Sequence, residues 1–300
     1  MNKELFDTRH SQVRSCALKL FQGFKKYMEY FKIGFKTSVE YKSYILGALI
    51  TPAFMGFFFY FIWSYIYDVR FQAAIEDGTF TGIFPNFTIG GFTFEEMLVY
   101  LLIGLLFQTA RSSQLADMIS EKIRSGDVAI FLCRPVSFSK SLLFEGIGAK
   151  VVNLVVFSML LVIMTILINL PTPAWQILLL FFMYAILMIL FDIIVYVMIG
   201  GLSFWFVEIW GIKASIEQVL WILSGRVLPL SLFPQVMQTI LAFTPFLYLE
   251  FTFASLYLGK LTISEAFQAM GIFIFWIILM LVGVWYLYKK GFEKVSSFGG

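Results

Sequence analysis

The fold is decided by one apolar stretch that prolines interrupt, Ser224-Gly225-Arg226-Val227-Leu228-Pro229-Leu230-Ser231-Leu232-Phe233-Pro234, followed after ten residues by Pro245-Phe246. Proline removes a backbone donor and breaks a helix interior. In hydrocarbon, broken backbone persists only where protein or a watery cavity covers it. The segment 229–258 is therefore predicted to form short re-entrant helices, which enter the membrane and leave it on the same side.

Composition indicates that the chain as a whole is a membrane protein. Of its 300 residues, 60% are hydrophobic and only 14% are charged, whereas soluble domains carry about 25% charged residues. The first 40 residues are lysine-rich and lack the compact apolar core and cleavage site of a signal peptide. We therefore expect an all-α integral membrane protein without a cleaved leader.

Six apolar runs are candidates for membrane-spanning helices, each of which needs roughly 20 apolar residues. They cover Tyr44–Tyr67, Met97–Ala116, Gly146–Asn169, Trp175–Leu202, Ile212–Leu228 and Ala266–Tyr288. The fifth is shorter and more polar, and it leads directly into the proline-broken segment. This predicts a cytoplasmic N-terminus and interfacial helix over 1–43, one six-span domain over 44–288, and a cytoplasmic tail over 289–300.

Lysine and arginine predict the orientation of these spans. Eighteen of them fall on one face, and only Arg70, Arg226 and Lys260 fall on the other. Positive residues accumulate on the cytoplasmic side. Both termini are therefore predicted to be cytoplasmic, and the re-entrant segment is predicted to lie on the outer side.

The N-terminal segment has the pattern of an amphipathic helix. Aromatic and apolar residues recur there at three- and four-residue spacing, at Phe21, Phe24, Met28, Phe31 and Phe35, and lysines occupy the other face, at Lys19, Lys25, Lys26, Lys32 and Lys36. Such a helix lies in the headgroup plane. Packing on a soluble partner is the alternative.

Residues suited to catalysis are scarce. The one histidine is His10, and the spans contain no acidic or cysteine-rich metal motif. The chain has no glycine-rich loop ending in Gly-Lys-Ser/Thr, so it is not expected to bind ATP itself. We predict no enzyme activity, no bound cofactor or metal, and no nucleic-acid partner.

The loop 117–145, between the second and third spans, holds a second candidate site. Residues Met118–Arg124 suit a short amphipathic helix, and Gly126 suits its end. Exposed on the cytoplasmic side, such a helix can dock a partner. The docking residues would be Glu121, Ile123, Arg124, Gly126 and Asp127. Taken alone, the loop fits a solvated charge cluster better.

An ionisable residue within a span is a functional candidate by default. Asp192 is the deepest one, in the fourth span. It can hold a cationic group of a substrate, with Asn153 nearby on the path. It can equally form a hydrogen bond to a neighbouring span, with Asn153 or Ser158 as its partner.

Two further pairs of charges are predicted. Lys213 and Glu217 are one helical turn apart, which favours an ion pair between them. Arg226 and Glu250 flank the re-entrant segment on the outer side, so topology places them within reach of each other.

Three stretches together resemble the permease subunits of ATP-binding-cassette exporters of the type-2 class, in a bacterial six-span subfamily. They are Tyr41–Leu46, Ile123–Ala129 with Leu132–Pro135, and Leu223–Gly225 continuing through the prolines to Leu258-Gly259. With these stretches, the resemblance extends from about Lys25 to Lys290.

The resemblance implies a machine with several subunits. A second permease, identical or homologous, would complete a dimer in the bacterial inner membrane, and two copies of an ATPase subunit would bind ATP and Mg²⁺. The loop around Glu121–Asp127 would be the coupling element. The outer gate would comprise Pro229, Phe233, Pro234, Pro245 and Phe246. The expected substrate is an amphiphile such as a drug, an antibiotic, a cationic dye or a lipid-like molecule; a self-contained secondary transporter or channel is the alternative.

Overall fold

A computed structural model describes residues 25–40, 42–108, 111–128, 136–167 and 173–298. Regular structure within these ranges is helical, as the apolar composition predicted. The helices are α1 (25–40), α2 (Lys42–Glu76), α3 (Phe94–Gln108), α4 (Ser113–Arg124), α5 (Phe138–Leu167), α6 (Trp175–Gly201), α7 (Trp210–Leu223), α8 (Gln235–Ala242), α9 (Glu250–Tyr257) and α10 (Ile263–Phe298).

Helix α6 forms the centre of the core. It is apolar around its whole circumference, the pattern of a helix that other helices surround. Phe181 and Tyr184 are fully buried, and the Phe181 ring stacks on Phe253 of α9 with centroids 4.2 Å apart. The apolar part of α6 is 56% buried, compared with 22% for α10. Helix α10 is therefore peripheral, with one side free to face lipid.

Among the described residues, α6 and α10 are long and apolar enough to cross a membrane, and the bent pair that α8 forms with Pro245–Tyr257 would make a third crossing if counted as one. The fourth predicted span differs from α6 by one residue at its end. The first and third predicted spans lie within the single helices α2 and α5, apart from residues 168–169, which are outside the described part.

The second predicted span, Met97–Ala116, is wrong beyond α3. That helix ends at Gln108, and a new helix, α4, begins at Ser113. Side chains from other helices bind the backbone between them: Asp192 accepts a hydrogen bond from the Ser112 amide at 2.7 Å, and Lys150 donates one to the Arg111 carbonyl. Buried backbone groups need partners, and here distant polar side chains supply them, which makes a break in an apolar run tolerable.

The fifth predicted span, Ile212–Leu228, is also wrong at its end. Helix α7 stops at Leu223, and its 14 residues extend roughly 21 Å at the helical rise, which is less than the thickness of the hydrocarbon core. Gly225 follows with φ of +83°, a left-handed conformation that favours glycine and turns the chain away from the helix axis.

The proline-broken segment forms short helical pieces, as predicted. Pro234 immediately precedes α8, and Pro245 is the first residue of the 3₁₀ turn Pro245–Tyr248. The prolines therefore lie at helix starts, where a missing amide is tolerated. The two pieces Gln235–Ala242 and Pro245–Tyr257 meet at an angle of 84°.

Helix α1 crosses α5 in direct backbone contact. A Cβ atom on Gly34 would overlap the Glu145 carbonyl, and one on Gly148 would overlap the Phe31 carbonyl. Tyr27 stacks on Phe144 beside the crossing, with ring centroids 5.4 Å apart. The predicted helix is confirmed over 25–40, whereas Phe21, Phe24 and Lys19 lie outside the described residues.

Candidate functional site

Helix α4 contains the predicted docking segment. It covers the expected helix Met118–Arg124 and starts five residues earlier, at Ser113. The Ser125 amide closes the last turn on the Glu121 carbonyl. Gly126 follows with φ of +81°, a conformation that favours glycine and ends the helix. The predicted stop at Gly126 is thus confirmed.

The apolar face of α4 packs tightly against α6. Ala116 and Ile119 are completely buried there. A Cβ atom on Gly200 would lie only 2.7 Å from the Ile119 Cβ, so the glycine is what allows the two helices to approach this closely. Because close-packed interiors transmit displacement, α4 cannot shift without α6 responding.

The polar face of α4 is attached to α7. Lys213 donates to both carboxylate oxygens of Asp117, at 2.6 and 2.7 Å. Ser113 donates to Glu217 at 2.7 Å, and Tyr196 of α6 donates to the same carboxylate at 2.8 Å. The predicted Lys213–Glu217 pair is therefore wrong, because α4 lies alongside α7 and offers each of these residues a closer partner.

The C-terminal end of α4 presents charged residues at the surface. Arg124 forms an ion pair with Glu208 at 2.8 Å, and Asp127 accepts a hydrogen bond from Ser125 at 2.8 Å. Glu121 and Gly126 are also exposed, whereas Ile123 is half-buried against the core.

An apolar surface that sequence reasoning missed lies beside this charged end. Glu208, the partner of Arg124, follows Phe206 and Val207, whose exposed fractions are 50% and 76%. Together with the end of α4 they form a mixed apolar and charged surface, the composition of a protein docking site. The sequence feature that could have indicated this surface is the apolar run Trp205-Phe206-Val207 next to Glu208. The same run is equally typical of the end of a membrane span.

The break between α3 and α4 is anchored by Asp192. One carboxylate oxygen binds the Ser112 amide, and the other lies 3.6 Å from Arg111 Nε. The predicted hydrogen bond to Ser158 is wrong, because that hydroxyl donates to the Leu154 carbonyl of its own helix. The side chain of Asn153 lies outside the described part.

Arg226 and Glu250 form an ion pair in the core, which confirms the predicted pairing. Their side chains are only 2% and 6% exposed. The turn that carries Arg226 is held by Tyr100, whose hydroxyl donates to the Gly225 carbonyl at 2.5 Å, and by Phe251, whose amide donates to the Ser224 carbonyl at 3.0 Å.

The Arg111–Asp192 ion pair, which is partly buried, and the buried Arg226–Glu250 pair flank one small cavity. It measures about 20 Å³, roughly the space for one water molecule. Arg111, Asp192 and Glu250 line it together with apolar side chains. A polar column therefore runs through an otherwise apolar core, from α4 at one end to the turn before the proline-broken segment at the other.

The sequence pattern of the family described as ABC-2 family transporter protein matches residues 79–299. The chain belongs to this family of permeases. A comparison with curated proteins found no match. A permease of this family is a membrane transport component rather than a catalytic subunit, and it normally works with an ATPase component. The match covers both α4 and the proline-broken segment, which are two of the three stretches on which the resemblance was based.

The predicted gate residues of the permease lie at the starts of the short helices. Pro229 and Pro245 are buried, Phe233 and Phe246 are half-buried, and Pro234 is exposed. These residues belong to the proline-broken segment, which follows the turn of Arg226, the partner of Glu250.

Side chains tie this part of the chain to the loop before α3 and to the first turn of α3. Ser231 donates to the Gly90 carbonyl at 2.7 Å, and Lys260 forms an ion pair with Glu96 at 2.7 Å. Opening of the region would have to break these contacts.

Proposed function

We propose that the permease exports an amphiphilic substrate and that its ATPase partner docks on the end of α4. The residues in contact would be Glu121, Ile123, Arg124, Gly126 and Asp127, extended by the exposed Phe206–Glu208. The observation that carries the proposal is the attachment of α4: its charged end is free to meet a partner, while its body is fastened to α6 and α7.

The assembly proposed is a dimer of permeases, identical or homologous, with two ATPase copies that bind ATP and Mg²⁺. Residues 44–288 would form one six-span domain in the bacterial inner membrane, with both termini cytoplasmic and α1 in the headgroup layer. The eighteen positive residues on one face support this orientation. This chain itself would bind membrane lipid and no cofactor.

The mechanism proposed is mechanical. ATP-driven closure of the ATPases would push the end of α4, and the contacts of Asp117 and Ser113 would carry this displacement to α7. Helix α7 leads directly into the turn of Arg226, whose partner Glu250 begins α9. The proline-broken segment 229–258 would then open on the outer side. Such a switch needs contacts that differ between two states, and the ATPase surface would supply them.

An amphiphilic substrate is supported by the aromatic surfaces that the permease leaves exposed. On α2, Phe54 and Phe57 are 67% and 65% exposed, and Trp210 at the start of α7 is 73% exposed. These surfaces suit an apolar molecule or lipid. The predicted substrate path at Asp192 and Asn153 receives less support, because the Asp192 carboxylate is already engaged by Arg111 and Ser112.

Purification tests the proposal against a self-contained transporter or channel. A tagged permease, solubilised from its native membrane, should retain an ATPase, with one ATPase copy for each permease chain, identical or homologous, in the complex. The double variant Arg124→Ala/Asp127→Ala should retain membrane insertion but lose substrate-stimulated ATP hydrolysis. The matched control is Arg70→Ala on the opposite face. Normal hydrolysis and transport in the double variant would contradict the docking site, and a fully active chain without any ATPase would support the alternative.

A further inference from the structure

A second, larger cavity lies between α1, α4 and α5. Its volume is about 410 Å³, within the range of small-molecule sites, which measure about 300–1,000 Å³. Its polar lining comes from all three elements: Thr37, Ser38, Arg111, Gln114, Glu145 and Lys150. It is separate from the α4 surface proposed to dock the ATPase.

The charge in this lining is not balanced. Glu145 is neutralised by Lys122 at 3.2 Å, and Arg111 faces Asp192 on its other side. Lys150 is only 7% exposed, and within the described residues it forms no ion pair; its ammonium donates to the backbone carbonyl of Arg111. Asp192 interacts electrostatically with the Lys150 ammonium, but its oxygens are engaged by the Ser112 amide and Arg111. The buried Lys150 charge is therefore only partly compensated, which is costly. An anion in the cavity would remove this cost.

The position of the cavity indicates which anion is available. The backbone contact at Gly34 and Gly148 holds α1 across α5, and this crossing forms one wall of the cavity. In the topology proposed above, this wall lies at the level of the cytoplasmic headgroups. Basic pockets between helices on that side bind anionic lipid headgroups. The same cavity offers hydroxyls at Thr37 and Ser38 and an amide at Gln114, which suit phosphate and glycerol oxygens.

We propose that this cavity binds the phosphate of an anionic membrane lipid, with Lys150 and Arg111 holding the phosphate and α1 closing over the headgroup. The site would hold a structural or regulatory lipid, distinct from the exported molecule. This lipid assignment depends on the proposed orientation of the permease and does not depend on the identity of its substrate.

The test uses the detergent-purified permease complex and soluble short-chain lipids. Phosphatidylglycerol should be retained in native mass spectrometry and should raise the melting temperature, whereas phosphatidylcholine should do neither. A hydrogen bond to a charged group contributes about 1.5–3 kcal/mol, so Lys150→Met should weaken binding of phosphatidylglycerol by roughly 10- to 100-fold. Lys150→Arg, which preserves the charge, should restore most of the binding.

Two variants distinguish lipid binding in the cavity from an effect of surface charge and from misfolding. Lys140→Met removes an exposed lysine from the same helix and should bind as the wild type does. Ala149→Trp keeps every charge but fills the cavity, and it should also abolish retention. Lys150→Met also removes the hydrogen bond to the Arg111 carbonyl, so its binding is measured well below its own melting temperature, and Ala149→Trp tests the cavity with that hydrogen bond retained.

Several results would overturn the proposal. Wild-type binding in Lys150→Met would do so, as would equal losses in Lys140→Met and Lys150→Met. Equal stabilisation by phosphatidylcholine would exclude an anion site. Equal stabilisation by inorganic phosphate or glycerol 3-phosphate at the same concentration would indicate a free-anion site and contradict the assignment to lipid.

Discussion

Lys213 on α7 forms its ion pair with Asp117 on α4, with Nζ 2.6 Å from the nearer carboxylate oxygen, and not with Glu217 one turn along its own helix. This choice leaves Glu217 to accept hydrogen bonds from Ser113 and Tyr196. Helices α4, α6 and α7 are thereby joined at two levels. The arrangement makes α7, the helix that leads into the proline-broken segment, a direct neighbour of α4.

Loss of the Asp117 charge should weaken this junction. In Asp117→Asn, the Lys213 ammonium, 8% exposed as a residue, would lose its counter-ion. We expect the free energy of unfolding to fall by about 1–3 kcal/mol, together with partial uncoupling of transport from ATP hydrolysis. Thermal unfolding of the purified complex and a transport assay measure the two effects.

A double-mutant cycle distinguishes a specific pair from general damage. Asp117→Asn/Lys213→Met should lose less stability than the two single changes added together, since no unpaired ammonium remains. The control is Lys290→Met, which breaks an exposed pair with Glu293 and should cost under about 1 kcal/mol. Strict additivity of the Asp117 and Lys213 effects would show that the pair is not coupled.

The Arg226–Glu250 pair should be far more sensitive, because both side chains are buried. Either Arg226→Met or Glu250→Gln leaves one uncompensated partner in the core, and breaking a buried pair in this way costs about 3–5 kcal/mol. The charge-swapped variant Arg226→Glu/Glu250→Arg should recover part of that stability. Melting temperatures in one detergent provide the measurement, and a swap that recovers nothing would contradict a direct pair.

The crossing of α1 and α5 should not tolerate side chains at its glycines. Gly34→Ala places a Cβ atom on the Glu145 carbonyl, so α1 must move away, at a cost of about 1–3 kcal/mol. Trypsin should then cleave faster at Lys32 and Lys36. Gly271→Ala on α10 is the control, because nothing lies within 4 Å of its added Cβ. Equal cleavage in the two variants would contradict the close crossing.

Gly126 offers a test of the proposed docking surface, with Gly259, outside that surface, as a matched control. Gly126 and Gly259 both have positive φ, +81° and +67°, and an added Cβ meets nothing within 4 Å at either. Substitution by alanine should therefore cost about 1–2 kcal/mol at each position through backbone strain. Only Gly126→Ala should weaken binding of the ATPase, measured by pull-down or light scattering. Equal weakening in both variants would mean that lost stability, and not the docking surface, explains the effect.

Local features of the permease could be predicted from sequence because their causes are local. A run such as Trp175–Leu202 is helical because nearly all of its residues are apolar and no proline interrupts it. Gly126 ends α4 because only glycine enters the left-handed region without strain. The Arg226–Glu250 pair could be predicted too, because both residues flank the proline-broken segment on the same predicted side, and the structure confirms the pair.

The partners of Asp192, Lys213 and Glu217 could not be predicted in this way. The residue that binds Asp192 is 80 positions away in sequence, and the partner of Lys213 is 96 positions away. Spacing along one helix favoured Glu217 for Lys213, but the packing of α4 against Gly200 brought Asp117 closer. The same packing explains the break before Ser113, where side chains from α5 and α6 replace the missing helical hydrogen bonds.

By itself, the sequence determined that this protein is a helical membrane permease. It also predicted that most lysines and arginines lie on one side of the membrane and the proline-broken segment on the other. Apolar content, charge and backbone conformational preference are properties of each residue and its near neighbours, so they can be predicted along the chain. Only the tertiary structure decided where helices stop, which charges pair, and which surfaces and cavities remain open. Those outcomes depend on the free energy of burying polar groups, which is lowest where a partner from another helix is within hydrogen-bonding distance.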